Sequence, residues 1–147
     1  MYSALNIARK LVALADKDIV NSGEGLTNLK LQKLLYYQQG YHLAIFDSPL
    51  FEEEIEAWMY GPVVPSVYRE YQKYGSQPIP VEDCNVTLSP EEEDVFFQTY
   101  DAYRDFSAIG LMNKTHQETP WASLSEHSYG VVITKESMRD YFKTKLN

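Results

Sequence analysis

Leu31, Leu34, Leu35, Tyr41 and Ile45 recur at intervals that bring all five onto one face of an α-helix, and Thr27 or Asn28 stands where it can cap the first turn. Such a face must be covered, so the rest of the chain is expected to assemble around this central helix. Gly40 lies inside the same stretch. A glycine there costs about 1 kcal/mol relative to alanine, and the compensation expected is the close approach of a neighbouring element.

The remaining segments read as packing partners. Ala4, Leu5, Ala8, Leu11, Val12 and Ala15 follow Ser3 with helical spacing and stop near Asp18, and Asn21-Ser22-Gly23-Glu24-Gly25 is a loop by composition. From Glu54 to Tyr60 the pattern alternates, with Ile55, Ala57 and Met59 on one side of a short strand. Gly61-Pro62 reads as a turn into a helix begun by Pro65, in which Val64, Val67, Tyr68 and Tyr71 align and which Gly75 ends. A brief strand over Asn85 to Leu88 is expected to pair with the earlier one.

Ser89-Pro90-Glu91-Glu92 is a capping box with proline at the first helical position, opening a helix whose Val95, Phe96, Thr99, Tyr103 and Phe106 turn inward. Ser107 caps a shorter helix with Ile109, Leu111 and Met112, closed by His116, and a loop follows from Gln117 to Gly130. Val131-Val132-Ile133 is extended, and Thr134 caps a last helix carrying Met138, Tyr141 and Phe142. The fold class expected is mainly α: a compact helical domain of about five to six helices with a small antiparallel β element, in one domain over residues 1–147.

Charge and motif narrow the function. Thirteen Lys and Arg against twenty-one Asp and Glu leave a net charge of -8, the wrong sign for gripping nucleic acid or an anionic membrane and suited to a basic partner. Met1 to Val20 offers no unbroken apolar run for a signal peptide or a span, and the single Cys84 forms no internal disulfide, so a cytoplasmic protein is expected.

Gly23-Glu24-Gly25 follows a helix and has Asn28 where a dinucleotide fingerprint needs a third glycine. His116-Gln117-Glu118 has the spacing of zinc deaminases, but the cysteine ligands are missing. The run Glu52-Glu53-Glu54-Glu56 reads as a solvated face, and His42 and His127 stand at no ligand spacing. No cofactor or metal is expected. One enzymatic alternative is an acid–base pair of His116 and Glu118 near Trp121. Twenty aromatic residues, twelve of them Tyr, suit a core whose remainder forms a binding surface.

Leu29-Lys30-Leu31-Gln32-Lys33-Leu34-Leu35-Tyr36-Tyr37 resembles the signature helix of the Panacea-domain antitoxins, the SocA-like and phage-associated GepA-like proteins. The likeness continues through Ile55-Glu56-Ala57-Trp58-Met59-Tyr60-Gly61-Pro62-Val63-Val64 and returns at Leu111 and Thr115-His116-Gln117-Glu118-Thr119-Pro120-Trp121. The resemblance implies an antitoxin that neutralises a toxin encoded beside it by direct binding, without catalysis. It also implies that some such proteins act as adaptors delivering the toxin to a ClpXP-type protease.

Leu31, Lys33, Leu34, Tyr36, Tyr37, Ala57, Gly61, Pro62, His116, Glu118 and Pro120 are then motif residues expected to hold the scaffold, with Lys33 snorkelling from its helix towards a carboxylate. Trp58, Tyr60, Tyr68 and Trp121 are the expected partner anchors.

Overall fold

The computed structural model describes residues 1–18 and 25–146. Among these are seven α-helices and a three-stranded sheet. The loop expected over Asn21–Gly25 lies outside the described residues except for Gly25.

Helix α1 (Ala4–Lys17) starts where the Ser3 hydroxyl accepts from the Asn6 backbone, and it buries Ile7, Ala8, Leu11 and Val12. Helix α2 (Asn28–Phe46) starts with the Thr27 hydroxyl accepting from the Lys30 backbone and ends at Asp47, whose φ of 55° turns the chain left-handed. It is central, as its sequence requires, but its burial is not confined to one face. Every residue from 31 to 40 is buried, and Ile45, expected inside, is 42% exposed in the last turn.

The buried polar side chains of α2 hold the backbone of neighbouring segments, two of them extended and one helical. The Gln39 amide donates to the Phe51 carbonyl at 2.8 Å and its oxygen accepts from the Leu50 backbone at 2.8 Å; the Gln32 oxygen accepts from the Val64 backbone at 2.9 Å; the Gln38 amide donates to the Phe96 carbonyl at 2.9 Å. Buried amides satisfied in this way fix register rather than destabilise the core.

Strands β1 (Ile55–Trp58), β2 (Gly61–Val63) and β3 (Val132–Ile133) form an antiparallel sheet in the order β2-β1-β3. β1 therefore pairs with Gly61–Val63 on one side and Val132–Ile133 on the other, not with Asn85–Leu88, which makes no strand. That segment leads instead into the capping box, where the Leu88 backbone N–H donates to the Glu93 carboxylate at 3.0 Å. The hairpin turn is Met59-Tyr60, so Met59 leaves the inward row of Ile55 and Ala57 and is 66% exposed. Gly61, read as part of a turn, opens β2 at φ 107°, a conformation that favours glycine.

Helix α3 (Pro65–Tyr71) runs into a short 3-10 turn, Gln72–Tyr74. Helix α4 (Pro90–Tyr103) opens with both hydrogen bonds of the Ser89–Glu92 capping box. It ends before Phe106, which is 39% exposed. In α5 (Ala108–Thr115) Leu111 is buried while Ile109 is 55% exposed, because two residues lie about 200° apart around a helix and cannot share a face. A one-turn helix, α6 (Thr119–Ala122), interrupts the expected loop and raises the helix count above six.

Helix α7 (Lys135–Lys143) packs along α2 and explains Gly40. The Phe142 ring lies where a Cβ would sit, within an aromatic cluster of Tyr36, Tyr37, Tyr41 and Tyr103.

Candidate partner-binding site

The motif residues of α2 point into a polar seam between α2, the sheet and α6. The Tyr36 hydroxyl donates to Glu118 Oε1 at 3.1 Å, and Tyr37 donates to both Glu118 oxygens at 3.2 Å. Burial pushes the Glu118 carboxyl above the usual range, although the two tyrosines favour its charged form. The same burial, with the adjacent carboxylate, pushes both phenols upward.

Lys33 does not snorkel. Its side chain is wholly buried, because α2 is covered on every side, and its amine donates to the Pro62 carbonyl at 3.0 Å. Burial alone pushes it down to about 7. The stem passes beneath Gly61, where an added Cβ would meet Lys33 Cε at 2.7 Å. Leu31, Leu34, Tyr36, Tyr37, Ala57, Gly61, Pro62, Glu118 and Pro120 are buried as well.

His116 and Glu118 are not brought together as an acid–base pair. The Glu118 carboxylate accepts from the two tyrosines, and His116 Nε2 makes no hydrogen bond among the described residues. The His116 ring instead stacks on Trp121 at 3.9 Å between centroids, and His127 stacks on the opposite face at 3.5 Å. Burial pushes His116 down, and Lys33 and His127 push it the same way.

Three of the four expected anchors line one groove of about 270 Å³. Trp58, Tyr60 and Tyr68 form its walls with Leu29 and Val63, and the buried Lys33 lies behind them at its floor. The Trp58 and Tyr68 rings meet edge to face at 5.1 Å. Trp121 is not a wall. It stands behind, its indole N–H donating to the Trp58 carbonyl at 2.8 Å, and so pins the α5–α6 region to β1.

Two surface residues went unforeseen. Met59, taken for an inward residue, sits in the turn between Trp58 and Tyr60, and Tyr129, 73% exposed, places its ring 5.8 Å from Trp58. The alternation around β1 concealed the first, and nothing in a loop sequence signals the second.

The acidic run is solvated at Glu52 and Glu54, which are exposed, and three of its carboxylates also bond within the fold. Glu53 accepts from the Ala4 backbone at the start of α1, Glu54 pairs with Lys135 at 3.3 Å, and Glu56 accepts from the Trp58 indole and the Gly130 backbone. Among the described residues no group of three or more His, Cys, Asp or Glu could hold a metal ion, and no helix is long and apolar enough to cross a membrane.

The family model for the "Antitoxin SocA-like, Panacea domain" matches residues 31–122, well over half of the chain and all of the seam and hairpin just described. This chain belongs to the SocA-like, Panacea-domain antitoxins. A curated relative, Antitoxin SocA of Caulobacter vibrioides (strain NA1000 / CB15N), is 46% identical over 50 residues, which is 34% of this chain. The chain spans only 27% of that protein's length. No solved structure matches the chain. Within this Panacea domain Lys33, Tyr36, Tyr37 and Glu118 make the seam, while the exposed Tyr60 and Tyr129 stand at and beside the β1–β2 hairpin.

Proposed function

We propose that this Panacea domain neutralises a cognate protein toxin by binding it one to one in the cytoplasm, with the hairpin groove as the contact and with no catalysis. The observation that carries this reading is a group of exposed apolar side chains next to a groove. Met59 is 66%, Tyr60 62% and Tyr129 73% exposed, Met59 and Tyr60 following Trp58 in the chain and the Tyr129 ring 5.8 Å from it, and Tyr60 lines the groove with Trp58 and Tyr68. Contiguous exposed aromatic surface marks a partner site, and buried aromatic anchors dominate protein–protein affinity. The acidic chain favours a basic toxin, drawn in by charge before the groove engages.

The test is co-expression with the toxin encoded beside the gene. Met59→Ser and Tyr60→Ala change exposed side chains that the fold does not need, so they are expected to abolish rescue while leaving thermal melting unchanged. Full rescue by the double variant sinks the assignment of the groove. Toxin that disappears faster in cells with ClpXP than in cells without it replaces simple blocking with delivery to the protease.

A further inference from the structure

The two edges of the sheet are finished differently. Along β2, Pro62 has no N–H to offer, its carbonyl accepts from the Lys33 amine, and the Val64 N–H donates to Gln32, so α2 closes that edge. β3 is the other edge. The Ala57 N–H donates to the Val131 carbonyl at 2.7 Å and Ile55 stands opposite Ile133, so residues 131 and 133 turn their backbone groups towards β1. Val132, between them, turns its N–H and C=O away. Neither group has a partner among the described residues, and Gly130, Val132 and Thr134 are all exposed.

Beyond its shortness, this edge has none of the usual protections. Proteins blunt open edges with lysine, proline or a covering element. Tyr129-Gly130-Val131-Val132-Ile133-Thr134 holds no charge and no proline, and its last four residues are β-branched. Thr134 continues the extended course at φ -70° and ψ 148° before α7 begins. Charge flanks the segment in the chain, with the exposed Glu126 before it and the exposed Glu136 after it. The nearby cations are already engaged, Lys135 by Glu54 and Arg139 by Asp140.

We infer that the open edge of β3 takes an extended segment of the toxin as a fourth strand, one with an apolar residue beside Val132 and Lys or Arg on its flanks. This rests on the partner-binding reading above and carries the contact from the groove past Tyr129, whose ring lies 5.8 Å from Trp58. An outward N–H and C=O on one residue are answered together by the backbone of an extended chain, which sets the form of the occupant. Charge sets whose chain it is. A second copy pairing antiparallel about Val132 would turn the Glu126 end of one chain towards the Glu136 end of the other and join two chains of net charge -8. A basic segment meets the same carboxylates with the opposite sign.

The experiment measures amide hydrogen exchange by NMR on the full chain, alone and saturated with the purified toxin encoded beside the gene. The Val132 amide is expected to exchange freely in the chain alone and about tenfold or more slowly in the complex, while the Ile133 amide, which faces Ile55, is slow in both. Val132→Pro removes the outward N–H on an edge strand, where proline is tolerated, and is expected to weaken toxin binding about tenfold or more; Val132→Thr keeps the N–H and should bind like the wild type. Glu126→Gln with Glu136→Gln should weaken binding about threefold or more. A Val132 amide left unprotected in the complex overturns the inference whether or not the proline variant folds, and undiminished binding by folded Val132→Pro does the same. Undiminished binding by the glutamine pair overturns the basic character of the segment. A dimer of the free chain in sedimentation equilibrium that Val132→Pro dissolves gives the edge to a second copy instead.

The groove and the edge fail separately. If Met59→Ser with Tyr60→Ala abolishes neutralisation while the Val132 amide stays unprotected, the strand inference falls and the groove stands. If the intact toxin does not bind at all, the binding reading falls and the strand with it.

Discussion

Replacing Lys33 with methionine should stabilise this protein, by an amount that depends on pH. The ordinary lysine value of 10.5 falls to about 7 in the fold, with burial as the cause. At about 1.4 kcal/mol per pH unit, holding the amine in the folded protein costs about 5 kcal/mol below pH 7.

The sign follows from the proton count. Between about pH 7 and 10.5 the unfolded chain keeps the proton and the native chain does not, so native stability rises with pH across that window and the cost vanishes above it. Methionine has nearly the same volume and no charge, but it leaves the Pro62 carbonyl without the Lys33 amine, a loss of about 1–3 kcal/mol. The expected net gain for Lys33→Met is thus about 2–4 kcal/mol near pH 6.5, and it shrinks to about zero near pH 9, where the burial cost has fallen to about 2 kcal/mol. Urea denaturation of both proteins across this range reads the difference directly, and the other titrating groups cancel in the comparison. Parallel stability curves, or a variant less stable at low pH, would refute the claim that an uncompensated amine is buried there.

Gly40→Ala drives a methyl group into the Phe142 ring and should lower stability by about 2 kcal/mol or more, measured by the same denaturation; a neutral result would mean that α7 does not seat on α2 as described. Glu118→Ala strands two buried phenols and should cost about 3 kcal/mol. Because burial raises the Glu118 carboxyl above its ordinary value, native stability falls as pH climbs from the ordinary value to the raised one, so Glu118→Gln, which keeps an acceptor and loses the charge, should equal or exceed the wild type at neutral pH. With a net charge of -8, toxin association should slow several-fold between low and high salt in stopped-flow measurements while dissociation changes little; an on-rate indifferent to salt removes the steering component.

Local signals that act through the backbone were readable in advance. Ser3, Thr27, Ser89, Ser107 and Thr134 all cap the helices expected of them, because a side-chain oxygen three residues before a backbone N–H needs no tertiary information. Gly40 announced a close neighbour for the same kind of reason. What escaped was non-local. The pairing of β1 with the residues just beyond its turn depends on Gly61 adopting φ 107°, which alternation does not encode. Burial of Gln32, Lys33, Gln38 and Gln39 runs against their polarity, and it becomes intelligible only when their partners on distant segments are known. Of the candidate site, Trp58, Tyr60 and Tyr68 share a groove; Trp121 does not line it, and its tie to the Trp58 carbonyl, which spans 63 residues, is of a kind that local sequence does not signal.

That tie also bears on how the family motif and the binding face divide their work. Trp121, clasped between two imidazoles, fixes the backbone of Trp58; Lys33 fixes that of Pro62; and Glu118, through Tyr36 and Tyr37, fixes the helix from which Lys33 rises. Trp121 and Lys33 therefore act on the hairpin through its backbone, while the exposed side chains of Met59 and Tyr60 make no hydrogen bond or ion pair among the described residues. A scaffold so arranged can change the exposed residues of its hairpin without loosening the seam. Exchanging Met59 and Tyr60 for those of another family member should move toxin preference while melting temperature stays fixed, whereas any exchange at Trp121 should loosen the hairpin and weaken binding of every toxin alike.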